Sequence, residues 1–228
     1  MGEDVYIVPT ILTNDPQVFA EQLQAYPQFA KRIQIDLMDG TFTANKSLPE
    51  STIAGLPQGV SFDLHLMSAR PSDHLAHLLR LKPSLCILHA EASEDLSPLF
   101  SEFKKAGIKT GLALLPGTYP GLVKAYIEAV DHVLIFAGSL GKQGGQADLL
   151  QMEKIKLIRE INPVVEIGWD GGANLTNVRA LAHADLNVIN VGSAISKVQH
   201  KIKKRLIISL LRNQKNGGSC NGSFKILS

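Results

Sequence analysis

Short runs rich in Val, Ile and Leu alternate along this chain with longer stretches whose apolar residues recur every three or four positions. The runs Val5–Leu12, Arg32–Gly40, Ser61–Met67, Leu85–Glu91, Thr110–Leu115, His132–Phe136, Val164–Trp169 and Asn187–Val191 read as strands. Helices are expected between them. Asn14-Asp15-Pro16 starts one that runs to Ala25, and Pro71 opens another over His74–Leu81. Leu96–Ala106 is a third, stopped by Gly107, and Gly121–Val130, Leu149–Ile161, Leu175–Ala184 and Lys197 to about Asn213 follow. The segment between Asn45 and Ser61 carries several Pro and Gly, and is expected to be irregular with one short helix. Alternating β and α units imply parallel strands with right-handed crossovers. About eight such units in this length favour a closed (β/α)8 TIM barrel over an open doubly wound sheet.

The second run decides where chemistry is sought. Period-2 alternation places Gln34, Asp36 and Met38 on one face, with Ile33, Ile35 and Leu37 on the other. A lone carboxylate buried in such a run costs several kcal/mol, roughly, unless something replaces its hydration. A metal ion or a reacting group would do so; a helix cap or a bond to loop amides is the plainer alternative. In a barrel the functional face lies at the carboxyl ends of the strands. Thr10, Asp36, His65 and His89 fall late in strands one to four, and Asp170 directly after strand seven. Asp36, His65 and Asp170 are residue types that chelate a divalent cation. Each alone has an ordinary structural reading, but their joint placement on one rim points to a site. Gly144-Gly145, Gly171-Gly172 and Gly192-Ser193 follow strands six, seven and eight, where exposed backbone amides of such barrels hold a phosphate.

Composition narrows the setting. The chain has 228 residues, and 45% hydrophobic with 19% charged residues is ordinary for a globular protein. A net charge of +2 argues for neither nucleic acid nor an anionic membrane as partner. Lys197, Lys201, Lys203, Lys204 and Arg205 read as the solvated side of the last helix. No apolar stretch is long enough to span a membrane, and Glu3 and Asp4 do not suit a signal peptide. Cys86 and Cys220 make neither a disulfide framework nor a zinc site, so a reducing, cytoplasmic setting is the default. One barrel domain is expected over residues 1–213. Residues 214–228 have linker composition and are expected to be disordered.

Several motifs together resemble ribulose-phosphate 3-epimerases. They are Val8-Pro9-Thr10-Ile11-Leu12, Ile35-Asp36-Leu37-Met38-Asp39-Gly40-Thr41-Phe42 with Asn45, Asp63-Leu64-His65-Leu66-Met67, His89-Ala90-Glu91-Ala92, Gly144-Gly145-Gln146, Asp170-Gly171-Gly172 and Gly192-Ser193-Ala194. The resemblance spans strand one to strand eight. It implies a metal-dependent barrel of the ribulose-phosphate-binding type that interconverts D-ribulose 5-phosphate and D-xylulose 5-phosphate in pentose phosphate metabolism. It also implies a divalent ion such as zinc, iron, manganese or cobalt, and a homo-oligomer. The family's metal ligands correspond to Gln34, Asp36, His65 and Asp170, and its acid and base to Asp36 and Asp170. Thr10, Met38, His65, Gly144, Gly145, Gly171, Gly172, Gly192 and Ser193 are then expected to meet the phosphorylated sugar.

Three departures qualify this. Gln34 stands where the family has a metal-binding His, Thr10 replaces a Ser, and the loop after strand six, Phe136 to Gln146, is one residue longer. An amide oxygen is a weaker ligand than imidazole for zinc-like ions, although it suits harder cations. Two alternatives therefore stay open. One is a barrel that binds a sugar phosphate without turning it over, in a regulatory or scaffolding role. The other is an epimerase of a related 6-phosphate ketohexose, which shares these motifs.

Overall fold

The computed structural model describes residues 5–142 and 144–196. Strands β1 (Tyr6–Ile11), β2 (Arg32–Met38), β3 (Ser61–Met67), β4 (Leu85–His89), β5 (Lys109–Leu114), β6 (His132–Phe136), β7 (Glu166–Asp170) and β8 (Val188–Val191) form a closed barrel in chain order. All neighbours are parallel, and β8 closes on β1 through Tyr6↔Val188 and Val8↔Asn190. The fold is thus the expected (β/α)8 TIM barrel. Among the described residues no helix is long and apolar enough to cross a membrane.

Alternation sorts each strand's side chains into two layers. Ile33, Ile35 and Leu37 of β2 face outward into the main core, which they share with Tyr26, Phe62, Phe103, Ile158 and Leu181. The other face turns into the barrel. There Leu85, Ile87, Ala113 and Leu134 form a small apolar plug, with polar residues gathered at either end. Gly111 lets Ile87 into this space, since a Cβ there would lie 2.8 Å from Ile87 Cγ1.

Helix α1 (Pro16–Ala25) begins as the sequence predicts: Asp15 caps it by accepting from the N–H of Gln17 at 2.8 Å and of Val18. Helices α2 (Leu75–Leu81), α3 (Ser97–Lys105), α4 (Lys124–Ala129), α5 (Glu153–Ile161), α6 (Val178–Ala182) and α7 (Ser193–Ser196) follow. Three expected helices open with a tighter 3-10 turn, at Pro71–His74, Pro120–Val123 and Leu149–Met152. Helix α6 starts later than Leu175 because Asn174 and Asn177 bond locally. Asn174 Oδ1 accepts from the Thr176 N–H at 2.8 Å, and Asn177 Oδ1 from the Asn174 N–H at 2.9 Å. Strand β7 extends through Asp170, which pairs with Phe136 of β6, whereas the sequence pattern places that residue just beyond the strand. The expected final helix Lys197–Asn213 with its basic run, Cys220, and the tail 214–228 lie outside the described residues.

The amino-terminal end of the barrel is closed by charge. Arg32 grips Glu166 through both Nη atoms at 2.7 Å, and its Nε donates to Asp63 at 2.7 Å. His132 Nδ1 lies 2.7 Å from the same Glu166. Removing one member of such a network leaves its partners buried and unpaired. Arg32→Met is therefore expected to lower stability by about 3 kcal/mol in urea unfolding. A loss under about 0.5 kcal/mol would show that the network contributes little.

Candidate active site

At the opposite end, the inward faces of β2, β3 and β7 bring four polar side chains together. Gln34 is fully buried, and its amide nitrogen donates to Asp36 Oδ1 at 2.8 Å and to Asp170 Oδ2 at 2.6 Å. His65 Nδ1 lies 3.2 Å from that Asp36 oxygen and 3.7 Å from that Asp170 oxygen. The ligand atoms of Asp36, His65 and Asp170 all fall within 4.8 Å of one another. Gln34 Oε1 is buried without a hydrogen-bond partner. Burial, reinforced by the negative charge of Asp36, pushes Asp170 up to about 7. Burial works against a charged His65, but Asp36 and Asp170 outweigh it and raise its pKa.

Behind His65 runs a polar chain that the motifs only partly revealed. His65 Nε2 is 2.9 Å from His89 Nε2, and His89 Nδ1 is 3.3 Å from Glu91 Oε2. The other Glu91 oxygen accepts from the Leu115 N–H at 2.9 Å. Burial lowers His89 to about 4, so it is neutral near pH 7. With His89 Nδ1–H donating to Glu91, its Nε2 must accept, and His65 Nε2–H must donate. Neutral His65 then turns a bare Nδ1 lone pair toward the two carboxylates. Two carboxylate oxygens and an imidazole lone pair on one centre are a fitting donor set for a divalent cation. An outward turn of the Gln34 nitrogen would bring its unpartnered oxygen in as a fourth donor.

The cluster floors a cavity. Asp36 and Asp170 line it with Thr10, Gly144, Gly171, Gly172, Gly192 and Ser193. Gln34 and His65 lie beneath with no exposed surface. Gly145 is exposed and stands just outside. Met38 lines an adjoining hollow with Leu12, Asn45 and Gly141, and Met67, its partner in register on β3, lines the cavity itself. Phe136, Lys142 and Asn190 also line the cavity and were not singled out from sequence. Lys142 carried no motif signal, sitting in a loop whose departure from the family pattern obscured it.

Glycines hold the loops over this floor. Gly171 and Gly172 have φ of 117° and 66°, and a Cβ on either would strike the backbone of the β6 loop at Gly138 or Ala147. The β2 loop leans across from the other side, where Asn45 Nδ2 donates to the Gly141 carbonyl at 2.6 Å. Its Phe42 ring packs against His89 at a tilt of 46°, with centroids 4.7 Å apart. His74 anchors the loop's base, with Nδ1 2.9 Å from Glu50 Oε1 and Nε2 3.2 Å from Asp39 Oδ2.

Comparison with known proteins accords with this geometry. The model of the ribulose-phosphate 3 epimerase family matches residues 6–196. The chain belongs to this family. It is 28% identical over 214 residues to ribulose-phosphate 3-epimerase of Schizosaccharomyces pombe, covering 91% of this chain and 92% of the relative. It is 31% identical over 196 residues to the cytoplasmic isoform of Oryza sativa, covering 83% and 86%. Among solved structures, tryptophan synthase of Mycobacterium tuberculosis superposes with a TM-score of 0.68 at 11% identity, covering 91% of this chain and 93% of that one. That likeness concerns the fold alone.

The His74 bridge makes the loop's attachment depend on pH. Glu50, ahead of burial, raises His74, and His74 in turn holds Glu50 low. A raised imidazole contributes stability below its unfolded value of about 6.5 and loses it as pH climbs through the folded value. Glu50 contributes above the ordinary carboxylate range and loses it in acid. His74→Leu is expected to cost about 1–2 kcal/mol at pH 6 and less at pH 9, read by urea unfolding. An equal loss at both pH values would show that the imidazolium charge plays no part.

Proposed function

We propose that this chain is a metal-dependent epimerase that inverts C3 of a ketose 5-phosphate, interconverting D-ribulose 5-phosphate and D-xylulose 5-phosphate. The observation that carries the reading is the meeting of Asp36 and Asp170, from β2 and β7, at the floor of a cavity walled by glycine loops. Backbone amides of the loops at Gly144, Gly171, Gly172, Gly192 and Ser193 bind the phosphate, and Lys142 adds a cation at the same mouth. That anchorage places the ketone end of the sugar over the carboxylates. Asp36, His65 and Asp170, with the oxygen of Gln34, would hold a divalent cation. When bound, such an ion stabilises negative charge developing on the ketose oxygens.

Each carboxylate spends one oxygen on the cluster and keeps the other for the substrate. Asp36 and Asp170 sit on strands separated around the barrel by β1 and β8, which suits approach from opposite faces of C3. One removes the C3 proton, leaving a planar enediolate, and the other returns a proton to the opposite face. Without the ion, burial and the charge of Asp36 raise the proton affinity of Asp170. Thr10, with a buried hydroxyl that has no hydrogen-bond partner, bonds a sugar oxygen, and Met67 and Phe136 pack beside the planar intermediate. The chain carrying His65, His89 and Glu91 holds the imidazole in its ligating tautomer.

The test is proton exchange in D2O. The full chain, supplied in turn with manganese, magnesium, zinc or iron, is expected to form xylulose 5-phosphate from ribulose 5-phosphate and to place deuterium on C3, read by NMR. Absence of exchange with every ion would overturn the epimerase reading and favour a barrel that binds the phosphate without turnover. Asp36→Asn and Asp170→Asn should each lower kcat by about a thousandfold while retaining the wild-type circular dichroism spectrum. Near-normal rates in either variant would remove its acid–base role. Lys142→Met should raise KM with little change in kcat, and a loss confined to kcat would place that lysine elsewhere.

A further inference from the structure

Gln34 carries information that the family motifs do not. Its amide nitrogen spans the same two carboxylate oxygens that face His65 Nδ1, at 2.8 and 2.6 Å. In doing so it leaves its own oxygen buried and unpaired. An unpaired buried acceptor is costly, and two hydrogen bonds to charged groups offset that cost. An amide has a second arrangement, reached by a half-turn about its last side-chain bond. The oxygen then points where the nitrogen now lies, among two carboxylate oxygens and His65 Nδ1. Three oxygens converging beside that nitrogen have lost the amide donor between them, and a cation that takes the place of an Nδ1 proton answers all four. The nitrogen-in and oxygen-in arrangements are therefore mutually exclusive answers to the same clash of negative charge.

We propose that Gln34 is a two-state element of this centre: nitrogen-in, it clamps Asp36 to Asp170 without a cation, and oxygen-in, it completes a site tuned to hard divalent cations. An imidazole at this position has no counterpart to the first state, because a neutral ring offers a single N–H and cannot bridge both carboxylates. The amide oxygen also shifts the donor set to three oxygens and one nitrogen, which suits manganese or magnesium better than zinc. A cation entering the wild-type centre must displace two charge-assisted bonds, so its hold is weaker than in a site with a second histidine. The inference rests on reading the cluster as the reaction centre, but it concerns ion binding and does not require turnover.

The experiment compares the full wild-type chain with Gln34→His, by calorimetric titration with manganese and with zinc and by thermal unfolding in EDTA and in each ion. For Gln34→His, zinc affinity is expected to rise about 10–100-fold, with manganese affinity changing by less than about tenfold. Without ions the variant should unfold at a lower temperature than wild type, having lost the clamp. With excess zinc the order should reverse, since an ion bound only by the folded state raises its unfolding temperature. A purely structural Gln34 would lower the unfolding temperature under all conditions and leave the preference between ions unchanged. Wild-type chain that binds zinc as tightly as Gln34→His, or binds neither ion, would overturn the oxygen-in state; equal unfolding temperatures in EDTA would overturn the clamp. Ion binding that follows the expected pattern in a chain without C3 exchange would sink the epimerase reading alone.

Discussion

Two carboxylates held close together under the mouth of the barrel set the terms for everything around them. At the separations found between Asp36, His65 and Asp170, two full negative charges repel by about 3–4 kcal/mol at an effective dielectric of about 20. Burial adds to that cost, and the upward push on Asp170 shows where the strain is taken. Something positive, or something that donates, must stand between them. Gln34 donates, His65 can carry charge, and a divalent ion would answer the repulsion outright. The site's chemistry follows from the same requirement, because a pair that cannot comfortably hold two negative charges readily keeps a proton on one member.

Support for that pair reaches outward in two directions. Beneath the cavity, His65, His89 and Glu91 form a line that ends on the Leu115 backbone at the end of β5. The line orients an imidazole with hydrogen bonds rather than packing alone, so the nitrogen aimed at the carboxylates is set by a residue on the next strand. Above the cavity, the loops after β2, β6 and β7 brace one another through backbone contacts that only glycine permits at Gly171 and Gly172. Phe42, lying on His89, links the two systems. Displacing the β2 loop would therefore disturb both the cover over the cavity and the far side of the histidine line.

The parts of this molecule legible in the sequence are those written in local pattern. Alternation along Arg32–Met38 correctly separated the outward aliphatics from the inward Gln34 and Asp36, and the strand-to-helix rhythm announced the barrel. Asp36, His65 and Asp170 were identifiable because strand ends in parallel barrels share one rim. What escaped is what arises between distant segments. Nothing local to Arg32 announces a fork onto Glu166, more than a hundred residues later, and His74 gives no sign within its own helix that it joins Asp39 to Glu50. Lys142 and Asn190 became visible only once the loops were folded over the cavity. Met38 illustrates the limit of alternation: its face was assigned, but whether it or Met67 lines the cavity depends on the tilt of two strands against each other.

The barrel's two ends pose the same electrostatic problem and resolve it differently. At the amino-terminal end, Asp63 and Glu166 meet Arg32, whose permanent charge and rigid fork answer both acids at once. That end already holds a permanent cation between its acids, although Asp63 Oδ1 and His132 Nε2 stay buried without a partner. At the carboxyl end, Asp36 and Asp170 share a neutral amide that satisfies their oxygens but brings no charge, and that amide leaves its own oxygen unpaired. An arginine there would have been the stabler choice and would have removed the capacity for proton transfer. A neutral, rotatable donor keeps the acids assembled while leaving them able to bind a cation or exchange a proton. A fixed counter-charge at one end, against a neutral amide at the other, is the physical difference between the two acid pairs.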